Sequence, residues 1–245
     1  MRNIWTIAKR EYNHYFISPI AYVVAFTILL VLGVIFWVDL SYTVQNAFYG
    51  SVPELSPITG SFAFLLVLST PALTMRLLAD ENRMGTMELL LTSPLRDSEL
   101  IIGKWLGGLL FVLTIIAITF VYPIAINSMV KPGIDQGLMM ASYLGLILVA
   151  AAFLAVGVGI YSLFTNQVAA FFVTMVTLVL LWWVMGFPAN FVQSGGDFFR
   201  YLDMQTHMNS LNAGAIYLSD LVYFISLIAA GLFTGTMAVE IRRWR

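Results

Sequence analysis

Charge and cysteine are both scarce in this chain. Of its 245 residues, 60% are hydrophobic, only 10% are charged and none is cysteine. The absence of cysteine excludes disulfides, thiolate metal sites and cysteine nucleophiles. A soluble domain has about 25% charged residues, so we expect lipid to surround most of this chain. The net charge of −1 gives no basic field of the kind that attracts nucleic acid.

Six uncharged apolar runs are long enough to cross a bilayer, which takes about 20 helical residues. The turn between the fourth and fifth is only Thr165–Gln167, which predicts a tight hairpin. Pro71 should kink the second, and the hydroxyls of Ser69, Thr70 and Thr74 could accommodate its freed carbonyls. We therefore predict one all-α membrane domain, residues 1–245, with transmembrane helices at 20–38, 58–75, 105–127, 137–164, 168–187 and 221–239.

Lysine and arginine are distributed unequally between the two sides of these spans. Ten of the twelve lie in the N-terminal segment, between the second and third spans, or at the C-terminus, all on one side of a six-span chain. Only Lys131 and Arg200 fall on the other side. Because positively charged loops stay in the cytoplasm, we predict that both termini are cytoplasmic.

Residues suited to catalysis or ion coupling are few. There is no Gly-x-x-x-x-Gly-Lys-Ser/Thr loop for nucleotide phosphates, so we do not expect the chain to hydrolyse ATP by itself. His14 and His207 fall on opposite sides of the predicted membrane, which excludes a metal site built from both. No predicted span carries a charge in its middle third, which disfavours an ion-coupled carrier. We predict no catalytic residue and no metal site.

Two segments are predicted to form amphipathic helices outside the spans. Residues 1–18 place apolar side chains on one face and polar ones on the other. They fit an interfacial helix in the inner headgroup layer or a basic anchor that only sets the topology. Residues 188–220 fit one or two short external helices, which could act as a substrate gate or as a lid over the bundle. Small residues at four-residue spacing predict close helix packing, within the bundle or in a dimer; they are Gly103/Gly107, Ala151/Ala155/Gly159 and Gly231/Gly235.

Charge is concentrated between Asp80 and Lys104, around a short block of methionine and leucine. Met84, Met87 and Leu91 fall on one face of a predicted cytoplasmic helix, which Ser93-Pro94 would end. Such a helix either folds back onto the membrane or docks into a groove of another protein. Methionine suits a docking surface that re-packs as its partner moves.

The sequence of residues 80–107, DENRMGTMELLLTSPLRDSELIIGKWLG, resembles the loop between the second and third spans of ABC-2 permeases. The resemblance is to the branch that includes gliding-motility and nitrous-oxide-reductase-maturation permeases. In that branch Gly-Thr-x-Glu-Leu-Leu, Thr-Ser-Pro and then Glu and Gly-Lys recur. AKREYNHYFISPIAYV (8–23) is similar to the family's opening, and GAIYLSDLVYFI (214–225) to the lead-in to its last span. The resemblance covers nearly the whole chain.

This resemblance implies a permease subunit, not itself an enzyme, of an ABC-2 exporter. Residues 80–99 would contain a coupling helix seated on a separate ATPase subunit. That subunit would hold ATP and Mg²⁺, so this chain would bind no cofactor. Two permease chains, identical or related, and two ATPase chains would form a complex in the inner membrane of a prokaryote. Lys104 and Arg76 would mark the lipid boundary.

The resemblance also implies which residues contact the partner. The docking residues would be Glu81, Arg83, Met84, Gly85, Thr86, Met87, Glu88, Leu90 and Leu91. The N-terminal helix would act as a connector beside them through Trp5, Lys9, Arg10, Glu11 and Tyr12. Two other functions stay open: a mechanical or assembly subunit that uses the same ATPase contact without moving a solute, and an ion-coupled carrier.

Overall fold

A computed structural model describes residues 2–46, 48, 53–84, 96–131, 133–191 and 196–243. All regular structure in these residues is helical. They include a π-helical turn at Leu180–Val184 and a short 3₁₀ turn at Phe187–Asn190. In chain order the α-helices are α1 Arg2–Tyr15, α2 Pro19–Gln45, α3 Ser56–Met84, α4 Asp97–Thr119, α5 Val121–Met129, α6 Gln136–Leu163, α7 Gln167–Val179, α8 Gly196–Leu202, α9 Met204–Asn212 and α10 Leu218–Arg243.

Six helical stretches are long and apolar enough to cross a membrane, which confirms the predicted all-α class with six candidate spans. The third is longer than predicted, because α4 begins eight residues before the expected start at 105. Arg96 is the N-cap residue of α4, and its backbone N–H donates to Glu99 Oε2 at 3.4 Å. The stretches are Pro19–Gln45, Ser56–Met75, Asp97–Met129, Gln136–Leu163, Gln167–Val184 and Leu218–Ile241.

The third span is interrupted at Phe120, between α4 and α5. Proline has no backbone N–H, so Pro123 cannot donate to the carbonyl of Thr119 four residues earlier. The Tyr143 hydroxyl of α6 donates to that carbonyl at 3.0 Å instead. The ring of Tyr143 stacks on Phe120 with 4.3 Å between centroids. A side chain from a neighbouring helix therefore stabilises the break.

The helix α3 continues through Pro71. The Thr74 hydroxyl donates to the Thr70 carbonyl at 2.9 Å, within the turn that contains the proline. The hydroxyls of Ser69 and Thr70 are buried and have no hydrogen-bond partner in the described part of the chain. The prediction that these two hydroxyls take up freed carbonyls is therefore wrong.

The helix α6 lies at the centre of the bundle and packs against α3, α4, α7, α9 and α10. Its contact with α10 is so close that only glycine fits. A Cβ on Gly159 would lie 2.6 Å from the Gly231 carbonyl oxygen, and a Cβ on Gly231 would lie 2.5 Å from the Ala155 carbonyl. This confirms that small residues on these two helices serve packing within the bundle.

A polar side chain caps the helix that follows the short turn between α6 and α7. Asn166 accepts hydrogen bonds from the backbone of Val168 and Ala169, which starts α7 directly after α6 and forms the predicted hairpin. At the other end of the bundle, α9 covers α6, where Gly145 contacts Leu211 and Met208. The described residues between 188 and 220 thus include the two short helices α8 and α9, whose depth in a membrane stays a prediction.

Candidate coupling site

The helix α1 packs lengthwise against α4, and the two run in the same direction. Contacting pairs keep a constant separation of 96 residues along the chain: Asn3 with Glu99, Ile7 with Gly103, Glu11 with Gly107, and Tyr15 with Phe111. A Cβ on Gly107 would lie 2.5 Å from Glu11 Cβ and 3.0 Å from the Ala8 carbonyl oxygen. Gly103 and Gly107, which the sequence predicts to allow close helix packing, are therefore the residues of α4 on which α1 packs.

A buried ion pair lies in this contact. Lys104 is 0% exposed, and its Nζ is 3.5 Å from Glu11 Oε1. The same Nζ donates to the backbone carbonyl of Leu77 in α3. Arg10 Nη2 lies 2.6 Å from Glu11 Oε1, on the exposed side of the helix. The Lys104 ammonium group thus connects the Glu11 side chain of α1 to the backbone of α3.

The structure shows what surrounds Lys104, while its depth in a membrane stays a prediction. We predicted that Lys104 marks the lipid boundary at the start of the third span. Because α4 begins at Asp97, Lys104 lies in its second turn, where α1 covers it. An isolated buried charge is costly, and the Glu11 carboxylate and the Leu77 carbonyl offset that cost. The side chain of Arg76, the other predicted boundary marker, lies outside the described part of the structure.

The ionisation of Glu11 follows from its surroundings. Burial raises the pKa of this carboxyl group, while the positive charges of Lys104 and Arg10 lower it. The charges outweigh burial, so the pKa of Glu11 lies below its ordinary value of 4.5. Glu11 is therefore a carboxylate at neutral pH and forms a true ion pair with Lys104.

Two tyrosine hydroxyls add to the contacts of α1. Tyr15 is buried and donates to the Leu73 carbonyl of α3 at 2.9 Å. The hydroxyl of Tyr12 is 3.1 Å from that of Thr114 in α4. Leu73 and Leu77 lie about two to three turns before the end of α3 at Met84. The three helices α1, α3 and α4 therefore meet at a polar junction just before the predicted docking segment.

The structure separates the five predicted connector residues into two groups. Trp5 is 60% exposed, and Lys9 and Arg10 are also exposed. Glu11 and Tyr12 face α4 and belong to the junction.

The predicted docking residues fall at the end of α3 and beyond it. Glu81, Arg83 and Met84 belong to the last turns of α3, but their side chains are outside the described part of the structure. The remaining predicted docking residues lie outside the described residues: Gly85, Thr86, Met87, Glu88, Leu90 and Leu91.

A second buried polar cluster, which sequence reasoning missed, joins α9 to α10. His207 Nδ1 is 2.7 Å from Asp220 Oδ1, and its Nε2 donates to the Tyr201 carbonyl at 2.8 Å. The ring stacks on Tyr223 with 4.2 Å between centroids. Ser210 bonds to Asp220 and not to the imidazole, so the three residues do not form a nucleophile–base–acid triad. The cluster links α8 and α9 to α10.

A bundle with six candidate spans and a buried helical core defines this chain as a multi-pass membrane protein. The family described as "ABC-2 family transporter protein" matches residues 5–240, and the chain belongs to that family. It is therefore a membrane permease subunit of an ABC transporter, and membership implies an ATPase subunit as partner and usually a second permease chain. Comparison with curated protein sequences gives no match.

Proposed function

We propose that this chain is the permease of an ABC-2 exporter, located in the inner membrane of a prokaryote and driven by a separate ATPase that docks on residues 80–99. The observation that carries the proposal is the junction of α1, α3 and α4. Lys104 connects Glu11 of α1 to Leu77 of α3, directly before the segment whose sequence resembles a coupling helix. ATP and Mg²⁺ bind to the ATPase, and this chain supplies the pathway.

The junction gives a physical route for the motion. When the ATPase pushes on Met84, Met87 and Leu91, the end of α3 moves. The Leu77 carbonyl and the Tyr15–Leu73 hydrogen bond link that end of α3 to α4 and α1. Because glycine contacts hold α1 tightly against α4, the three helices move as a unit. The motion thus reaches the bundle through rigid elements, and α1 acts as the connector.

Purification in mild detergent with determination of the masses of co-purifying proteins tests the docking assignment. We expect an ATPase in equal amount with the wild-type chain. Met87→Asp combined with Glu88→Ala should abolish its capture, because the pair adds a charge to the apolar surface and removes a rim charge. Glu54→Ala, on the other side of the predicted membrane, is the matched control and should retain the ATPase.

The same preparation distinguishes export from a mechanical or assembly role. Reconstituted into proteoliposomes with its ATPase, an exporter moves a labelled lipid or peptide in one direction upon ATP addition. A complex that hydrolyses ATP but moves neither probe would favour the mechanical role. Transport without any ATPase would contradict the proposal.

A further inference from the structure

A groove of about 550 Å³ runs between α1 and α4, and neither Glu11 nor Lys104 lines it. The two walls differ in character. The wall from α1 is polar or amphipathic. The wall from α4 is apolar except for Thr114, whose hydroxyl bonds to that of Tyr12. The residues that matter here are Trp5, Lys9 and Asn13 of α1, and Leu110, Leu113 and Ala117 of α4.

The groove extends from the charged helix α1 towards the uncharged part of the bundle. The end of α1 lies beside Phe111, whose ring contacts both Tyr15 and Phe16. The chain then enters α2, which carries no charge from Pro19 to Val38 and lies against Tyr122 through Gly33 and Phe36. Leu113 and Ala117 lie between Phe111 and Tyr122 and are therefore level with this uncharged part.

The exposed charge on the described side chains of α1 is positive. Lys9 and Arg10 are exposed, whereas the acidic Glu11 is 9% exposed and is paired with Lys104 and Arg10. Lys9 lines the groove itself, and Asn13 beside it adds an amide group. An occupant that matches both walls has an anionic head for Lys9 and an apolar tail for α4.

We propose that this groove binds a single anionic phospholipid. Its phosphate lies against Lys9 and Asn13, the indole of Trp5 lies at the level of the headgroup, and one acyl chain covers Leu113 and Ala117. The lipid holds the exposed side of the connector helix, while the Glu11–Lys104 pair holds its buried side. Binding requires only the folded chain and no ATPase, so it stands apart from the exporter assignment.

Native mass spectrometry of the detergent-purified full chain tests the proposal by titration with dioleoyl phosphatidylglycerol or dioleoyl phosphatidylcholine. We expect phosphatidylglycerol to bind more tightly to the wild type. Lys9→Gln should weaken its binding about fivefold, since a basic residue near an anionic lipid contributes roughly 1 kcal/mol. Lys131→Gln, which removes an exposed lysine far along the chain, is the matched control and should leave binding unchanged.

A second variant examines the apolar wall. Leu113→Trp narrows the groove and should weaken the binding of both lipids, whereas Lys9→Gln affects only the anionic one. The size-exclusion profile of each variant establishes folding. If the Leu113→Trp chain aggregates, Ala117→Leu, at an exposed position of the same apolar wall, replaces it. Asn13→Ala should weaken the binding of both lipids, because the amide contacts the phosphate group that both carry.

Three outcomes would overturn the proposal. The wild type could bind the two lipids equally, or Lys9→Gln and Lys131→Gln could have the same effect. In the third, Lys9→Gln leaves phosphatidylglycerol binding unchanged and instead reduces co-purification of the ATPase, which would assign the groove to that protein.

Discussion

Lys104 is fully buried, and its ammonium group bonds to an oxygen of α1 and to an oxygen of α3. Removing one member of a buried ion pair leaves an uncompensated charge in an apolar region. Replacing both members by neutral side chains of similar size avoids that cost. The stability of the junction therefore depends on Glu11 and Lys104 as a pair more than on either residue alone.

Glu11→Gln is expected to lower the free energy of unfolding in detergent by about 3 kcal/mol, because the buried Lys104 ammonium group then loses the carboxylate charge 3.5 Å from it. Adding Lys104→Met should restore most of that loss. Glu54→Gln, at an exposed glutamate, is the control and should change stability by less than about 0.5 kcal/mol. Chemical unfolding followed by tryptophan fluorescence measures all four chains. A Glu11→Gln variant as stable as the wild type would contradict the ion pair.

The contribution of Glu11 should depend on pH in a defined direction. The pKa of this group is lowered in the folded chain, so its stabilising effect is fully present above the ordinary value of 4.5. As the pH falls below 4.5, the unfolded chain takes up a proton before the folded chain does, and the effect is lost. We expect the stability difference between wild type and Glu11→Gln to be constant from neutral pH to about 5 and to shrink below 4.5. A difference that instead shrinks between pH 7 and 6 would point to another group.

At the scale of helices, close contacts through glycine hold α1 to α4 and α6 to α10. Gly231 lies against the backbone of Ala155, which cannot move without moving α6. Among the described residues, only the Tyr122 hydroxyl lies within 4 Å of a Cβ added to Gly33 of α2, at 3.8 Å, which is an ordinary contact distance. The two glycines look alike in the sequence, since both lie inside apolar helices, yet their surroundings differ.

Gly231→Ala should therefore destabilise the bundle by about 1–3 kcal/mol, because α10 must move away from α6. Gly33→Ala should be neutral or stabilising by up to about 1 kcal/mol, because alanine is the better helix former. Thermal unfolding in detergent compares the two variants directly. Equal effects of the two substitutions would show that α6 and α10 do not approach as closely as the structure places them.

At the scale of the whole molecule, the six-span arrangement predicts that Lys131 and Thr165 face opposite sides of the membrane. The chain contains no cysteine, so single cysteines at these two exposed positions can be labelled without background. Lys131→Cys should react with a membrane-impermeant maleimide on intact cells, and Thr165→Cys only after permeabilisation. The reverse pattern would mean that both termini are external, and the docking segment could then not meet a cytoplasmic ATPase.

Local features of the sequence predicted much of this fold. The length of each apolar run predicts a span without any knowledge of which helices pack together. The short turn Thr165–Gln167, with Asn166 as a cap, predicts a hairpin. The break at Phe120 was not predicted, although Pro123 signalled it, because the stabilising Tyr143 belongs to another helix. The ABC-2 family is confirmed, and the branch within it stays a prediction.

By itself, the sequence determined that this is a membrane protein with six candidate spans and a local concentration of charge between Asp80 and Lys104. Both properties depend on the hydrophobicity and charge summed over neighbouring residues. Insertion of a helix into a membrane depends on the same sums, so the sequence alone is enough. Only the tertiary structure decided that Glu11 pairs with Lys104, 93 residues away, and that His207 pairs with Asp220. Helix periodicity gives the face on which a side chain lies but not the helix that packs there. The partner of a buried charge is therefore determined by which helices pack together.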